Sequence, residues 1–292
     1  MLNRKSLERA LALYADYRDE TVARRLALFG PALLRAADAA AEIPTVMPQW
    51  SEEDVEAARL GKTTLLSRSA PVIEEKPFLA VLQSIADVLI AELKPEGDLL
   101  AACRGVDWTL FTKPELLETA AHDPMAYLAA AEEAAGESDV LDLIILPVLG
   151  LTLRAFLDSA ADEASRRIET VKTDTTHHNR PLSCPVCGAP AAIAAVVDTP
   201  RNGSVKKLYC TCCGGHWLFE RIRCAQCGTM AVSDLSYEHE ENDASHRLHV
   251  CSACHEAMPT VFAGDELSFN PDVEQIVMTG LECAYEAASA EK

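Results

Sequence analysis

Four short cysteine motifs carry the chemistry available to this chain. They are Cys184-Pro185-Val186-Cys187-Gly188, Cys210-Thr211-Cys212-Cys213-Gly214, Cys224-Ala225-Gln226-Cys227-Gly228 and Cys251-Ser252-Ala253-Cys254-His255. Two thiolates two residues apart can grip one ion from a tight turn. A glycine after the second cysteine lets the backbone take a positive φ, which turns amides toward sulfur. Two such knuckles complete a tetrahedron of four sulfurs around zinc or iron.

The spacing favours one pairing of the knuckles. Between the first and second lie 22 residues, between the third and fourth 23, and between the second and third only 10. This is one unit repeated in tandem. Sequential pairing is therefore expected, with Cys184, Cys187, Cys210 and Cys213 as one site and Cys224, Cys227, Cys251 and Cys254 as the other. Interleaved pairing, first knuckle with third, is the alternative. The residues do not choose between iron and zinc: CPVCG is also the turn of rubredoxin, and structural zinc ribbons use it too.

Several neighbours admit a second reading. Cys251 through His255 has the form of a c-type haem attachment site, which fits poorly inside a matched set of metal knuckles. Cys212 reads as an ordinary residue between two ligands. His216, His246 and His249 could ligate or donate to a sulfur, although each alone reads as a surface histidine. Cys103 and Cys283 read as small core residues. His122-Asp123 and His177-His178 have no supporting motif. No phosphate loop, dinucleotide fingerprint, nucleophile elbow or HExxH stands in the sequence. Two sites filled by thiolates leave no position for a metal-bound water, so no enzyme activity is expected. Structural stabilisation, one-electron transfer and presentation of a surface to a partner remain.

Composition sets the context. The 292 residues carry 26 Lys and Arg against 45 Asp and Glu, a net charge of -19. Within residues 180–264 the balance is 7 against 8. A nucleic-acid binder would show a basic footprint, so a zinc-ribbon module contacting nucleic acid is a weaker alternative, as is a rubredoxin-like electron-transfer protein. The pairs Lys206/Lys207 and Arg221/Arg223 read as solvated rims. The chain start has no apolar signal region, and the uncharged run Leu143–Leu153 is too short to span a bilayer. A cytoplasmic protein with reduced, metal-binding cysteines is expected.

The elements that position the knuckles are of two kinds. Residues 1–179 are rich in alanine and poor in aromatics, and read as helices. Ser6–Arg25 has helical spacing, Gly30-Pro31 interrupts, and Ala32–Glu42 resumes. Ser51 to Asp54 is a capping-box start with Gly61 as the stop. Pro77 opens a helix that Lys94-Pro95 closes, and Thr112 to Glu115 caps another that breaks at Asp123-Pro124. Pro124 starts a helix ending near Gly136. A long apolar helix from Asp139 bends at Pro147, and another runs through Ala160 to Thr170. The polar stretch 172–180 marks a boundary. Beyond it, Ala192–Val197, Lys207–Tyr209 and Trp217–Ile222 read as strands. From Asn270, Val273, Ile276, Val277 and Leu281 restore a helix.

The fold class expected is thus α+β. It comprises a helical domain (1–179), a first four-cysteine module (180–221), a second (222–268) and a C-terminal helix (269–292).

With these motifs the chain resembles the formate dehydrogenase accessory proteins called FdhE. The resemblance rests on Ser183 to Gly188, Leu208 to Cys213, Trp217, Arg221 to Cys227, and Cys251 to Cys254. Weaker echoes lie in Leu13–Leu26 and in Ala91 to Glu96. It implies a helical domain followed by two rubredoxin-like modules, with cysteines associated with iron. It also implies a cytoplasmic protein required for active formate dehydrogenase and acting on its catalytic subunit. The eight knuckle cysteines are the positions the resemblance carries over. Cys212 and His255 depart from its pattern.

Overall fold

The computed structural model describes residues 2–44, 46–170, 180–199, 203–264 and 269–290. Its helices are α1 (Arg4–Leu13), α2 (Glu20–Glu42), α3 (Glu52–Arg59), α4 (Leu65–Arg68), α5 (Glu75–Leu93), α6 (Gly97–Arg104), α7 (Pro114–His122), α8 (Pro124–Ala135), α9 (Leu146–Thr170) and α10 (Pro271–Ala290). Polar side chains start several of them. Asn3 accepts from the Ser6 amide and Asp19 from those of Thr21 and Val22, while Ser51 and Asp54 exchange bonds in a capping box. Asn270 accepts from the amides of Asp272 and Val273 at the head of α10. Each satisfies donors the first helical turn leaves unpaired.

The punctuation differs from expectation in two places. Gly30-Pro31 does not interrupt: Pro31 lies inside α2, and the break falls earlier, between Leu13 and Glu20. A mid-helix proline forfeits one backbone bond. Here the buried face Leu26, Leu33, Ala36 and Ala37 holds α2 in place regardless. Gly30 lets α1 cross closely, since a Cβ there would lie 3.2 Å from Leu11 Cδ2. The second difference is at Pro147. The irregularity is a π turn at Leu141–Ile145 that runs directly into α9, with Pro147 just behind it. From there α9 is one helix to Thr170, absorbing the separate helix expected at Ala160–Thr170.

Leu141–Thr170 is long and apolar enough to cross a membrane, but 67% of its most apolar window is buried in the molecule. It is the central helix of the core, buried on most sides, with an apolar first half and buried charges at Arg154, Asp158 and Asp162.

The strands are β1 (Ile193–Thr199), β2 (Gly203–Tyr209), β3 (His216–Phe219), β4 (Leu235–Glu238), β5 (His246–Cys251) and β6 (Ala257–Ala263). They form one mixed sheet in the order β3-β2-β1-β6-β5-β4. Each four-cysteine unit contributes an antiparallel meander, and the two meanders join where β1 runs parallel to β6, Ala194 opposite Thr260. The third expected strand ends at Phe219, leaving Arg221 and Ile222 exposed. The expected boundary stretch 172–180, apart from Arg180, and His177-His178 lie outside the described residues.

Two cores result. Ile193, Ala195, Val197, Tyr209, Leu248 and Val261 on one sheet face pack with Phe269 and Met278. The opposite face of the first unit, with Val186, Leu208, Trp217 and Phe219, is continuous with the helical core.

Candidate metal centres

All four knuckles are the same local structure. In each, the first cysteine's N–H donates to the carbonyl five residues on: Cys184 to Ala189 (2.8 Å), Cys210 to Gly215 (2.8 Å), Cys224 to Thr229 (2.9 Å), Cys251 to Glu256 (3.0 Å). The residue after the second cysteine donates back to the first: Gly188 to Cys184, Gly214 to Cys210, Gly228 to Cys224, His255 to Cys251. That residue has positive φ in every case, 87°, 92°, 78° and 63° in chain order. His255 therefore stands where the other knuckles have glycine, and it holds the left-handed conformation with a Cβ.

The turns bring the eight sulfurs into two groups of four. Cys184, Cys187, Cys210 and Cys213 form one, and Cys224, Cys227, Cys251 and Cys254 the other, the sulfurs of each lying within 4.8 Å of one another. First knuckle thus faces second and third faces fourth. Sulfur–sulfur distances are 3.7 Å for Cys184–Cys213, 3.6 Å for Cys187–Cys210, 3.7 Å for Cys224–Cys254 and 3.8 Å for Cys227–Cys251. A disulfide would need about 2.05 Å. A tetrahedron with bonds of about 2.3 Å has edges of about 3.8 Å. Each group could hold one metal ion, and the donor set suits zinc or iron. As free thiols, four groups so close cannot all ionise. Burial pushes Cys184 and Cys213 up, while Cys210 falls below the ordinary thiol range because Cys184, Cys187 and Cys213 donate to it. A divalent cation removes that conflict.

The two sites have different surroundings. All four sulfur residues of site one are buried. The first turn of α4 docks on knuckle one, Leu65 and Leu66 N–H donating to the carbonyls of Pro185 and Val186 at 3.0 Å. Gly215 permits close packing of the sulfurs, because a side chain there would lie 3.2 Å from Cys184 Sγ and 3.3 Å from Cys213 Sγ. Behind knuckle two lies Arg154 of α9, fully buried and paired with Asp158 (3.2 Å) and with Asp272 of α10 (3.1 Å). Burial works against its charge, and Asp272, Asp158 and Cys213 restore it.

Site two lies nearer solvent. Cys227 is exposed and Cys254 half-exposed, while Cys224 and Cys251 are buried. Arg223 braces knuckle three by donating to the carbonyls of Gly228 (3.4 Å) and Arg180 (3.0 Å) and to Glu220 (3.2 Å). Knuckle four is tied to the loop before β4 by Ser252 N–H donating to Asp234 O at 2.9 Å.

His216, His246 and His249 belong to neither four-sulfur group and are buried or half-buried, while His122 is exposed. His246 bridges Asp243 (2.7 Å) and Glu274 (3.0 Å), with Tyr14 donating to the same Glu274 at 2.8 Å. His249 is buried on Tyr237, ring centroids 4.9 Å apart, and its Nδ1 lies 3.2 Å from Lys206 Nζ. His216 is pushed down to about 3 by burial and by Lys207, so it is neutral. His122 Nδ1 lies 2.8 Å from the Leu66 carbonyl.

Cys212 is half-exposed beside an apolar groove of about 510 Å³ with Phe29, Leu33, Leu151 and Ile276. Cys103 is buried as expected, whereas Cys283 is exposed because it faces outward on α10. Lys206 and Lys207 are not a solvated rim: both are buried, on opposite faces of β2. Arg154, Lys206 and Asp272 were missed as site residues. Their signal in the sequence is slight: Arg154 and Lys206 are charges inside a helix and a strand, and Asp272 is an acidic residue in a first helical turn.

No protein-family model matches the chain. Among curated proteins it is similar to the Protein FdhE homolog of Pseudomonas putida, 22% identical over 222 residues, which is 72% of this chain and 61% of that one. The Protein FdhE homolog of Rhizobium meliloti is 24% identical over 191 residues, 62% and 61% of the two chains. That of Aquifex aeolicus is 25% identical over 99 residues, 34% and 35%. The chain thus spans about three-fifths of the length of the first two relatives. The crystal structure of the FdhE protein from Pseudomonas aeruginosa has the same fold, with TM-score 0.59 at 16% identity, over 98% of this chain and 91% of that one. The resemblance to FdhE proteins read from the knuckles thus holds in sequence and in fold.

Proposed function

We propose that this chain is an accessory factor of the FdhE kind, acting in the cytoplasm on the catalytic subunit of formate dehydrogenase. In this reading Cys184, Cys187, Cys210 and Cys213 hold one metal ion, and Cys224, Cys227, Cys251 and Cys254 a second. The observation that carries it is the pair of four-sulfur groups set on a fold shared with an FdhE protein.

A bound zinc would cross-link the knuckles; a bound iron would do so and also exchange one electron. The chain's own residues do the rest. Arg154, Asp158 and Asp272 seat site one against the helices, and Arg223 braces site two at the surface. The exposed apolar side chains Ile222, Met230 and Val232 flank the third knuckle, as a partner-binding edge would require. The division into residues 1–179, 180–221, 222–268 and 269–292 belongs to the same proposal, although both modules share one sheet. The charge of -19 argues against nucleic acid as the partner.

Copurification of the tagged full chain with the formate dehydrogenase catalytic subunit of the same organism tests this. Retention by the native chain and loss in a Cys224→Ser/Cys227→Ser variant are expected. No retention by the native chain removes the accessory role. A double variant that binds and activates normally removes the metal from it.

A further inference from the structure

Each four-sulfur site has a buried cation close by, but the two cations are compensated differently. Arg154, beside site one, is bridged to two carboxylates, Asp158 and Asp272. Its charge is satisfied within the protein.

Lys206 has no such partner among the described residues. Its residue is 1% exposed, and among the described residues no carboxylate lies within ion-pair distance of it. Nζ touches the neutral side of its pocket: His249 Nδ1 at 3.2 Å and the Phe219 ring, centroid 5.6 Å away. His249 lies two residues before Cys251 on β5, and the same Phe219 ring carries Arg223, the residue before Cys224, with its guanidinium carbon 5.2 Å from the centroid, so Lys206 sits between the two knuckles of site two. Burial pulls the Lys206 ammonium down to about 8, and the negative groups opposing this are Cys224 first and Glu220 second. Glu220 is already held by Arg223 at 3.2 Å and Arg180 at 3.8 Å. What remains for Lys206 is the sulfur cluster.

We propose that the buried ammonium of Lys206 is the counter-charge of site two. A divalent metal in four thiolates carries two excess negative charges, and a ferric ion carries one. A fixed positive charge in a buried pocket stabilises the more negative state. Lys206 therefore tightens site two's hold on a divalent ion and, for iron, favours the ferrous form. Site one, with its arginine neutralised, does not respond. The inference rests on the proposed metal sites and adds a division of labour between them. Site one fastens the module to the helices. Site two, half-open to solvent, has its charge set from beneath by one lysine.

The experiment is a redox titration of the full chain, loaded with iron without oxygen, using a one-electron chemical reductant and following the ferric–thiolate absorption. Two couples are expected in the native protein. In Lys206→Met one couple falls by about tenfold in the ferrous-to-ferric ratio, which is about 59 mV for one electron, while the other stays. Lys207→Met, which removes the same charge from the opposite face of β2, moves neither. Lys206→Arg restores the native value.

Should Lys206→Met fail to fold by circular dichroism, Lys206→Gln serves in its place. With zinc loaded instead, transfer to a chromophoric chelator from the faster-releasing site quickens about tenfold in the same variant. Two couples that both stay, or both shift equally, overturn the role of Lys206 while leaving the metal sites intact. A chain that takes up neither metal overturns the sites and this inference together.

Discussion

The guanidinium of Arg154 occupies the space that a side chain at Gly214 would need: a Cβ built there overlaps the guanidinium and comes within 2.8 Å of Asp158 Oδ1. Through this contact the second knuckle is pressed onto α9 and, by way of Asp272, onto α10. The glycine is required twice over, by its φ of 92° and by the charge it covers.

Gly214→Ala should therefore cost more than backbone strain alone. The strain is worth about 1–3 kcal/mol, and dislodging a buried ion pair adds about 3–5 kcal/mol. We expect a loss of at least about 3 kcal/mol in denaturant unfolding, with metal lost from one site of two. By contrast Gly264→Ala, with open space around it and no positive φ, should leave stability within about 0.5 kcal/mol. Parallel unfolding curves of the two variants check this.

Metal should leave the two sites at different rates. Cys227 is exposed and Cys254 half-exposed, while site one is buried throughout. Transfer to a chelator should be biphasic, and alkylation after the first phase, read by peptide mass, should mark Cys224, Cys227, Cys251 and Cys254 before the other four. Simultaneous labelling of all eight would contradict the difference in access. Cys283, exposed and outside both sites, should label with or without metal.

His246 links stability to pH. Burial would lower its pKa, but Glu274 and Asp243 outweigh that and raise it above the ordinary histidine value. A raised folded pKa contributes stability that is complete below the unfolded pKa, about 6.5, and fades as pH rises through the folded value. Denaturant midpoints should therefore fall from pH 6 toward alkaline pH. In His246→Gln that part of the slope should vanish, and stability at pH 6 should drop toward the alkaline level. A variant with the native slope would show that the bridge from β5 to α10 is not titrating there.

His255 pays the strain that glycine avoids in the other three knuckles, at a φ of 63°. Replacement by glycine removes a left-handed cost of about 1–2 kcal/mol against about 0.5–1 kcal/mol of added chain entropy. His255→Gly should stabilise by about 0.5 kcal/mol, seen as a small rise in Tm with metal content unchanged. A fall in stability, or loss of metal from site two, would mean that the imidazole is needed there.

The legible parts of this molecule are those whose forces act within a few residues. A CxxC knuckle closes its own hydrogen bonds between Cys184 and Ala189, or Cys210 and Gly215, so spacing alone predicts it four times. The capping box at Ser51 and Asp54 and the stop at Gly136 are local in the same sense. Near-equal repeat lengths, 22 and 23 residues, favour the grouping in which the knuckles meet. Pro31, by comparison, reads as a breaker because its missing hydrogen bond is a local fact, whereas the packing that keeps α2 continuous comes from distant helices.

The same division runs through the candidate sites. The sequence by itself determined the eight sulfurs and the acidic, helical body that precedes them, and its repeat spacing favoured one grouping over the interleaved one. Only the tertiary structure decided what surrounds each group. It set Arg154 between two aspartates behind one site and Lys206 near the other with no carboxylate among the described residues within ion-pair distance, closed site one against α4 and left Cys227 in solvent. It joined both repeats in one sheet through the parallel pairing of β1 and β6. The physical reason is that burial and charge compensation are properties of neighbours in space. A lysine on β2 and a cysteine on the third knuckle become neighbours only when the sheet has formed.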